Sequence, residues 1–249
     1  AQKQMEALWI YLSDGYSLGA PSGLYREAMR LIANEQEAVM LRRAYPGVGK
    51  RGIGVGLPHG HNYIFNADKL GLAMLWKGDF ADPAGVWLSQ GHGRVRPLAR
   101  QQISFPVQAQ WQGLDSKSAP WPEMEQRQAE QKFQGYRLDA QRVPTFLYAI
   151  DETIVEDTLK EVESKGQWTL ERTLRLKTNG SSENLIFRVA VAATIQAHGA
   201  SHFQVSDAFS IALTGDAEGY VVKAAEGDEL RIKMSGNSHL KSITLHYQF

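Results

Sequence analysis

The alternation of polar and apolar positions is clearest in the second half of the chain. From Gly135 onward, YRLDAQRVPTFLYAI, TIVEDTLKEV, QWTLERTLRLKT, NLIFRVAVAATIQA, HFQVSDAFSIALT, YVVKAAEGDELRIKMSG and HLKSITLHYQF follow one another, separated by turn residues. A period of two is what a strand with one buried and one solvated face requires. A succession of such strands predicts an antiparallel sandwich or barrel. In Trp168–Leu176, the residues Trp168, Leu170, Leu174 and Leu176 fall on one face, and Thr169, Glu171, Thr173 and Arg175 on the other. Ser164-Lys165-Gly166, Asn179-Gly180, Gly215-Asp216 and Gly227-Asp228 lie between the runs and read as hairpin turns.

The first half is more mixed. Met5, Leu8, Trp9 and Leu12 recur at three- and four-residue spacing and predict a helix over Gln2–Ser13, stopped by Asp14-Gly15. Gly15–Gly23 has the Gly, Ser and Pro content of a linker. Glu27–Tyr45 alternates well enough for two strands around Asn34-Glu35, and a short helix would carry the same letters. Gly52–Leu57, Asn62–Phe65 and Leu70–Trp76 read as strands, with Asn66-Ala67-Asp68 as the turn between the last two. Asp79–Trp121 shows no periodicity and carries Trp87, Trp111 and Trp121, the mark of a long, packed excursion; Glu123–Phe133 has the residues of a short helix. The expectation is an all-β protein: an antiparallel β-sandwich over residues 27–249 with an irregular Trp-rich insertion at 79–134, preceded by an N-terminal helix (1–14) and a linker (15–26).

Composition narrows the chemistry. A chain of 249 residues buries enough surface to need no disulfide or metal for stability. Lys plus Arg and Asp plus Glu are both 27, so no net charge marks it for nucleic acid. No apolar run approaches the roughly 20 residues of a transmembrane helix. With no cysteine, the chain itself cannot form disulfides, use a thiolate, bind metal through sulfur or attach haem covalently.

Several constellations invite a functional reading. Gly47, Gly49 and Gly52 match G-x-G-x-x-G, but Pro46 precedes them and a glycine-rich strand follows. A phosphate loop needs a strand before and a helix N-terminus after, so these glycines are assigned to turns and close packing. His59 and His61 are two residues apart, and on an extended backbone both rings would face one metal ion, with His92, Asp79 or Asp82 as a third ligand. Pro58 and Gly60 suggest instead a bend that turns the rings apart. His198, His202 and His246 read as turn or surface residues. Trp76, Trp87, Trp111 and Trp121, with Asp79, Asp82, Gln90, Arg94 and Arg96, have the residue types of a sugar-stacking platform, although most tryptophans serve a core. Glu156, Asp157, Glu161 and Glu163 alternate with Lys160 and Lys165, as a solvated face does. No G-x-S-x-G, P-loop, H-E-x-x-H or EF-hand pattern supports an enzyme.

The phrase QMEALWIYLSDG, followed by GAPSGL, resembles the C-terminal helix and exit of class I c-type cytochrome domains over residues 1–14. The resemblance implies a haem c domain preceding this chain and a role as its C-terminal β extension in a secreted or periplasmic bacterial protein. It also implies that the cytochrome domain, or another protein, is the partner. The sequence departs from the family in having no Cys-x-x-Cys-His, so electron transfer is not assigned to these residues. The expected function is a non-catalytic binding or interaction module of an exported, electron-transfer-associated protein. The alternatives are a carbohydrate-binding or carbohydrate-active sandwich, and a metal-dependent enzyme using His59 and His61.

Overall fold

The computed structural model describes residues 27, 29–88, 90–106, 108–123, 131–164, 166–178, 184–215, 217–234 and 240–249; the helix expected over Gln2–Ser13 and the linker after it lie outside them. The described residues form three antiparallel sheets. The first contains, in order, β1 (Val39–Tyr45), β2 (Gly49–Gly56), β3 (His61–Asn66), β4 (Gly71–Asp82) and β5 (Arg96–Ser104). The second has eight strands in the order β12 (Gln196–Ala197), β13 (His202–Ser206), β14 (Phe209–Thr214), β17 (Leu240–Gln248), β10 (Gln167–Thr178), β9 (Thr153–Ser164), β8 (Pro144–Ile150) and β7 (Gln131–Leu138). The third is β15 (Gly219–Ala224), β16 (Gly227–Lys233), β11 (Leu185–Ala192) and β6 (Trp111–Gly113). No helix of the described residues is long and apolar enough to cross a membrane.

The eight-stranded sheet packs against the other two in a sandwich-like arrangement, and the expected all-β antiparallel fold is the one found. Its inner face follows the period of two: Phe146, Tyr148 and Ile150 of β8, Val155 and Leu159 of β9, and Leu170, Leu174 and Leu176 of β10 are buried. They share one core with Ile53, Val55, Tyr63 and Phe65 of the five-stranded sheet and with Phe187 and Ile232 of the four-stranded one. Phe65 stacks on Phe146 with ring centroids 4.1 Å apart, and Trp111 stacks on Phe187 at 4.5 Å.

The five-stranded sheet is covered on both faces, which is why β3 is buried at every position rather than at alternate ones. Its second face carries Tyr45, Ile64, Met74, Trp76 and Phe80, closed over by Val86 of the short helix α1 (Ala84–Trp87) and by Val95. Gly52, Gly54 and Gly56, alternate residues of β2, point to this face. A Cβ at Gly52 would lie 2.7 Å from the Tyr45 ring, one at Gly54 2.1 Å from the Tyr45 hydroxyl, and one at Gly56 2.7 Å from the Phe80 ring. The glycine run is therefore the bed on which two aromatic rings lie flat.

The expected strands at Gly52–Leu57, Asn62–Phe65 and Leu70–Trp76 correspond to β2, β3 and β4, and the strand nearest the expected second one of 27–45 is β1. The side chain of Asn34 accepts the backbone N–H groups of Gln36 (2.8 Å) and Glu37 (2.5 Å), making the predicted turn. The irregular insertion at 79–134 is corrected. β4 continues to Asp82, β5 and β6 lie inside the segment, and Gln131–Phe133 opens β7 instead of closing a helix; residues 124–130 lie outside the described ones. The reason is exposure: β5 is an edge strand, exposed or half-buried along its length, so its sequence carries no clean alternation. Ser164 and Gln167 pair across a hairpin as expected. The turns expected at Asn179-Gly180 and Gly215-Asp216 include residues outside the described ones; the strands on either side, β10 and β11, and β14 and β15, belong to different sheets. The β15–β16 hairpin turns at Ala225-Glu226, with Gly227 already paired to Ala224.

Candidate ligand-binding cleft

The two histidines of the metal-ligand expectation part company at Gly60, whose φ of +83° bends the β2–β3 connection. His61 is buried, and its Nδ1 lies 2.7 Å from Oε1 of Glu161 on β9. The backbone N–H groups of His59 and His61 donate to the same carboxylate at 2.9 and 3.1 Å. The His59 ring turns outward and stacks on Trp168 with centroids 3.6 Å apart. His92 is exposed in the loop between α1 and β5, and among the described residues no group of three or more His, Asp or Glu side chains is placed to hold a metal ion. The His59, His61, His92 set is thus not assembled. Glu161, read from sequence as part of a solvated face, has a side chain only 4% exposed and clips the five-stranded sheet to the eight-stranded one.

The expected aromatic platform is also dispersed. Trp76 and Trp111 are fully buried in the two cores. The indole N–H of Trp76 donates to the Asp79 carbonyl at 3.0 Å, and that of Trp111 to the Tyr148 hydroxyl at 3.2 Å. Trp87 is 45% exposed on α1; Asp79 and Arg94 are exposed. Asp82 is buried, accepts the Ala84 N–H at 2.9 Å and pairs with Arg96 at 3.1 Å, so it supports α1. The fourth tryptophan, Trp121, stands at the wall of a cleft.

Two buried charge clusters were not expected. In the main core, Arg172 of β10 makes a bidentate pair with Asp157 of β9, Nε to Oδ1 at 2.9 Å and Nη2 to Oδ2 at 2.6 Å, with both side chains fully buried. Tyr148 donates to the same carboxylate at 3.2 Å, and the Gln110 carbonyl oxygen accepts from Arg172 Nη1 and Nη2 at 3.2 and 3.3 Å. Burial by itself would lower the Arg172 guanidinium, but Asp157 together with Tyr247 and Tyr148 outweighs it and holds it above its ordinary value; burial, helped by Asp157, also raises the Tyr148 phenol. Arg172 sits between Leu170 and Leu174 on the inward face, and Asp157 between Val155 and Leu159. A charge at the apolar phase of a strand is the signal that could have found both.

The second cluster builds the cleft. Arg188 on β11 and Arg231 on β16 are direct cross-strand partners, a pairing of like charges that needs a counter-ion. Glu229, two residues from Arg231 and so on its face, supplies it: Arg188 Nη1 donates to Oε1 at 3.0 Å and Arg231 Nε to Oε2 at 2.7 Å. Burial lowers the Arg188 guanidinium, and Glu229 opposes that shift. Arg231 also donates to the carbonyls of Lys117 (3.0 Å) and Ala119 (2.7 Å), fixing the loop that presents Trp121. Arg188 lies 4.4 Å and Arg231 5.3 Å from the centroid of the Trp121 ring, and the indole N–H donates to the Ala109 carbonyl at 3.1 Å. Gln108 accepts Arg188 Nη2 at 2.9 Å.

The result is a cavity of about 350 Å³ between the Ser118–Glu123 loop and the β15–β16 hairpin, bordered by Trp121, Gln108 and six ionic side chains. Three of these are acidic, Glu123, Glu226 and Glu229, and three basic, Arg188, Lys223 and Arg231. Lys223 is itself paired to Asp228 at 2.6 Å. Donors and acceptors thus stand close together with no excess of either charge. Such a wall suits a neutral ligand that both donates and accepts hydrogen bonds. No protein-family model matches the chain, and no curated protein matches it in sequence.

Proposed function

We propose that the chain is a non-catalytic binding module of an exported, electron-transfer-associated protein, and that the Trp121 cleft takes a carbohydrate. The observation that carries the ligand class is the charge-balanced wall around Trp121, held rigid by the Arg188–Glu229–Arg231 triplet. Hydroxyl-rich rings offer an apolar face to an indole and alternate donors and acceptors to such side chains. Rigid partners also lower the ordering cost of binding. The link to electron transfer is supported by the cytochrome-like residues 1–14 alone.

Two measurements test this reading. On a glycan panel, at least one class binds the natural chain, and Trp121→Ala weakens it by about tenfold or more in calorimetry, ~1.4 kcal/mol, with an unchanged circular dichroism spectrum. Absence of binding across the panel sinks the carbohydrate assignment. Separately, the coding sequence upstream of Ala1 is expected to encode a Cys-x-x-Cys-His; a sequence without one removes the cytochrome association.

A further inference from the structure

Gln110 is buried in the connection between β5 and β6, and its side-chain amide is oriented without ambiguity. Its oxygen accepts three donors, the Leu72 N–H at 2.9 Å and Arg172 Nη1 and Nη2 at 3.2 and 3.3 Å, so the other branch must be the NH2 group. That NH2 has no hydrogen-bond partner among the described residues. Leaving a buried donor unmade costs about 1–3 kcal/mol, which calls for an explanation.

Gln110 borders a cavity of about 180 Å³, which shares Gln108 with the Trp121 cleft and is formed where the β1–β2 turn, β4 and the end of β5 meet. Much of its wall is apolar, including Val48, Leu72, Met74, Phe105 and Pro106. Among the described residues, Lys69 is the one charged residue that lines it, and its neutral polar neighbours already make hydrogen bonds. The Asn66 side chain donates to the Val48 carbonyl (3.1 Å) and accepts the N–H groups of Asp68 (2.9 Å) and Lys69 (3.2 Å). Ser104 accepts from Gln102 at 3.3 Å, and the Gln108 oxygen serves Arg188 at 2.9 Å. An apolar cavity of about 150 Å³ takes a benzene-sized guest.

We propose that this cavity is a second ligand site, for a compound about the size of one six-membered ring that carries a single hydrogen-bond acceptor, recognised by the Gln110 amide. The Arg172–Asp157 pair behind Gln110 positions the donor, and the apolar wall selects the ring.

The test follows the Gln110 side-chain amide by NMR on the whole chain during titration with cyclohexanone or methylenecyclohexane, which differ by an oxygen in place of a CH2 group. Cyclohexanone is expected to shift that resonance saturably and to bind about three- to tenfold tighter, the worth of one hydrogen bond. Ala73→Leu, which adds bulk to the cavity wall, abolishes the shift while leaving the Trp121 cleft unaltered. An absent or non-saturating response, or an equal response to both rings, overturns the proposal; the two-ring comparison needs no variant, so it decides even if Ala73→Leu fails to fold.

Discussion

Alanine in place of Asp157 is expected to lower the free energy of unfolding by about 3–5 kcal/mol, because it leaves the Arg172 guanidinium charged, fully buried and without a counter-ion. The charge cannot be shed, since arginine stays protonated in any accessible pH range. Nor does another carboxylate replace it within the cluster: what remains around Arg172 is the neutral Gln110 oxygen, the phenols of Tyr148 and Tyr247, and the face of Phe187, 5.2 Å from the guanidinium. Tyr148 also loses its acceptor. Removing both charges has a different outcome. Asp157→Leu with Arg172→Met replaces a desolvated ion pair by apolar groups, which is often neutral or better. The double variant is expected to recover more than half of the loss, the remainder reflecting Tyr148, while Gln110 keeps its bond from Leu72. Urea unfolding of the single and double variants checks this. A single-variant loss below about 1 kcal/mol would mean that the guanidinium reaches water and that the pair contributes little.

The second large effect is expected at Gly54, where alanine should destabilise by about 3 kcal/mol, the upper end of overpacking costs. Its methyl would lie 2.1 Å from the Tyr45 hydroxyl and 2.7 Å from Cζ, closer than any stable contact. The ring cannot slide away easily, since its hydroxyl donates to the Leu41 carbonyl at 2.9 Å and burial holds the phenol well above its ordinary range. Tyr45→Ala removes the obstacle, so Gly54→Ala should cost much less in that background, with a coupling energy inside the 0.5–3 kcal/mol range of contacting residues. If the penalty is the same in both backgrounds, the glycine is required for some reason other than the ring it supports.

These two sites bear on how much of the molecule was legible in its sequence. The alternation that identified β8, β9 and β10 has a direct physical cause, one face in the core and one in water, and it survived folding because those strands lie inside a wide sheet. The glycines of β2 were readable as close-packing residues, but not which rings lie on them, because Phe80 is distant in sequence. β5 was missed because an edge strand has no consistently dry face. Asp157 and Glu161 were misread for a subtler reason. Their spacing with Lys160 resembles a solvated face, yet Asp157 is in phase with Val155 and Leu159, and its partner Arg172 is supplied by the next strand. The same holds for the cleft. Trp121 was picked out by residue type, while Arg188, Glu229 and Arg231 were hidden in NLIFRVAV and DELRIKM, where charged residues interrupt apolar runs. Pattern locates strands; only the register of neighbouring strands shows which polar residues meet.

The place of β17 in the eight-stranded sheet sets an order for assembly. Residues 240–248 lie between β14 and β10 and, among the described residues, make the only bridge between the two halves of that sheet, while every other strand of the described residues precedes them in the chain. During synthesis, β7 to β10 and β12 to β14 leave the ribosome as two separate ladders, each ending in an unpaired edge of the kind that recruits foreign strands. The sheet becomes continuous only when Leu240–Gln248 arrives. Its folding is therefore late, non-local and slow in the manner of high-contact-order β proteins. In the interval, a nascent chain is exposed to aggregation through the same two edges that the last strand will seal.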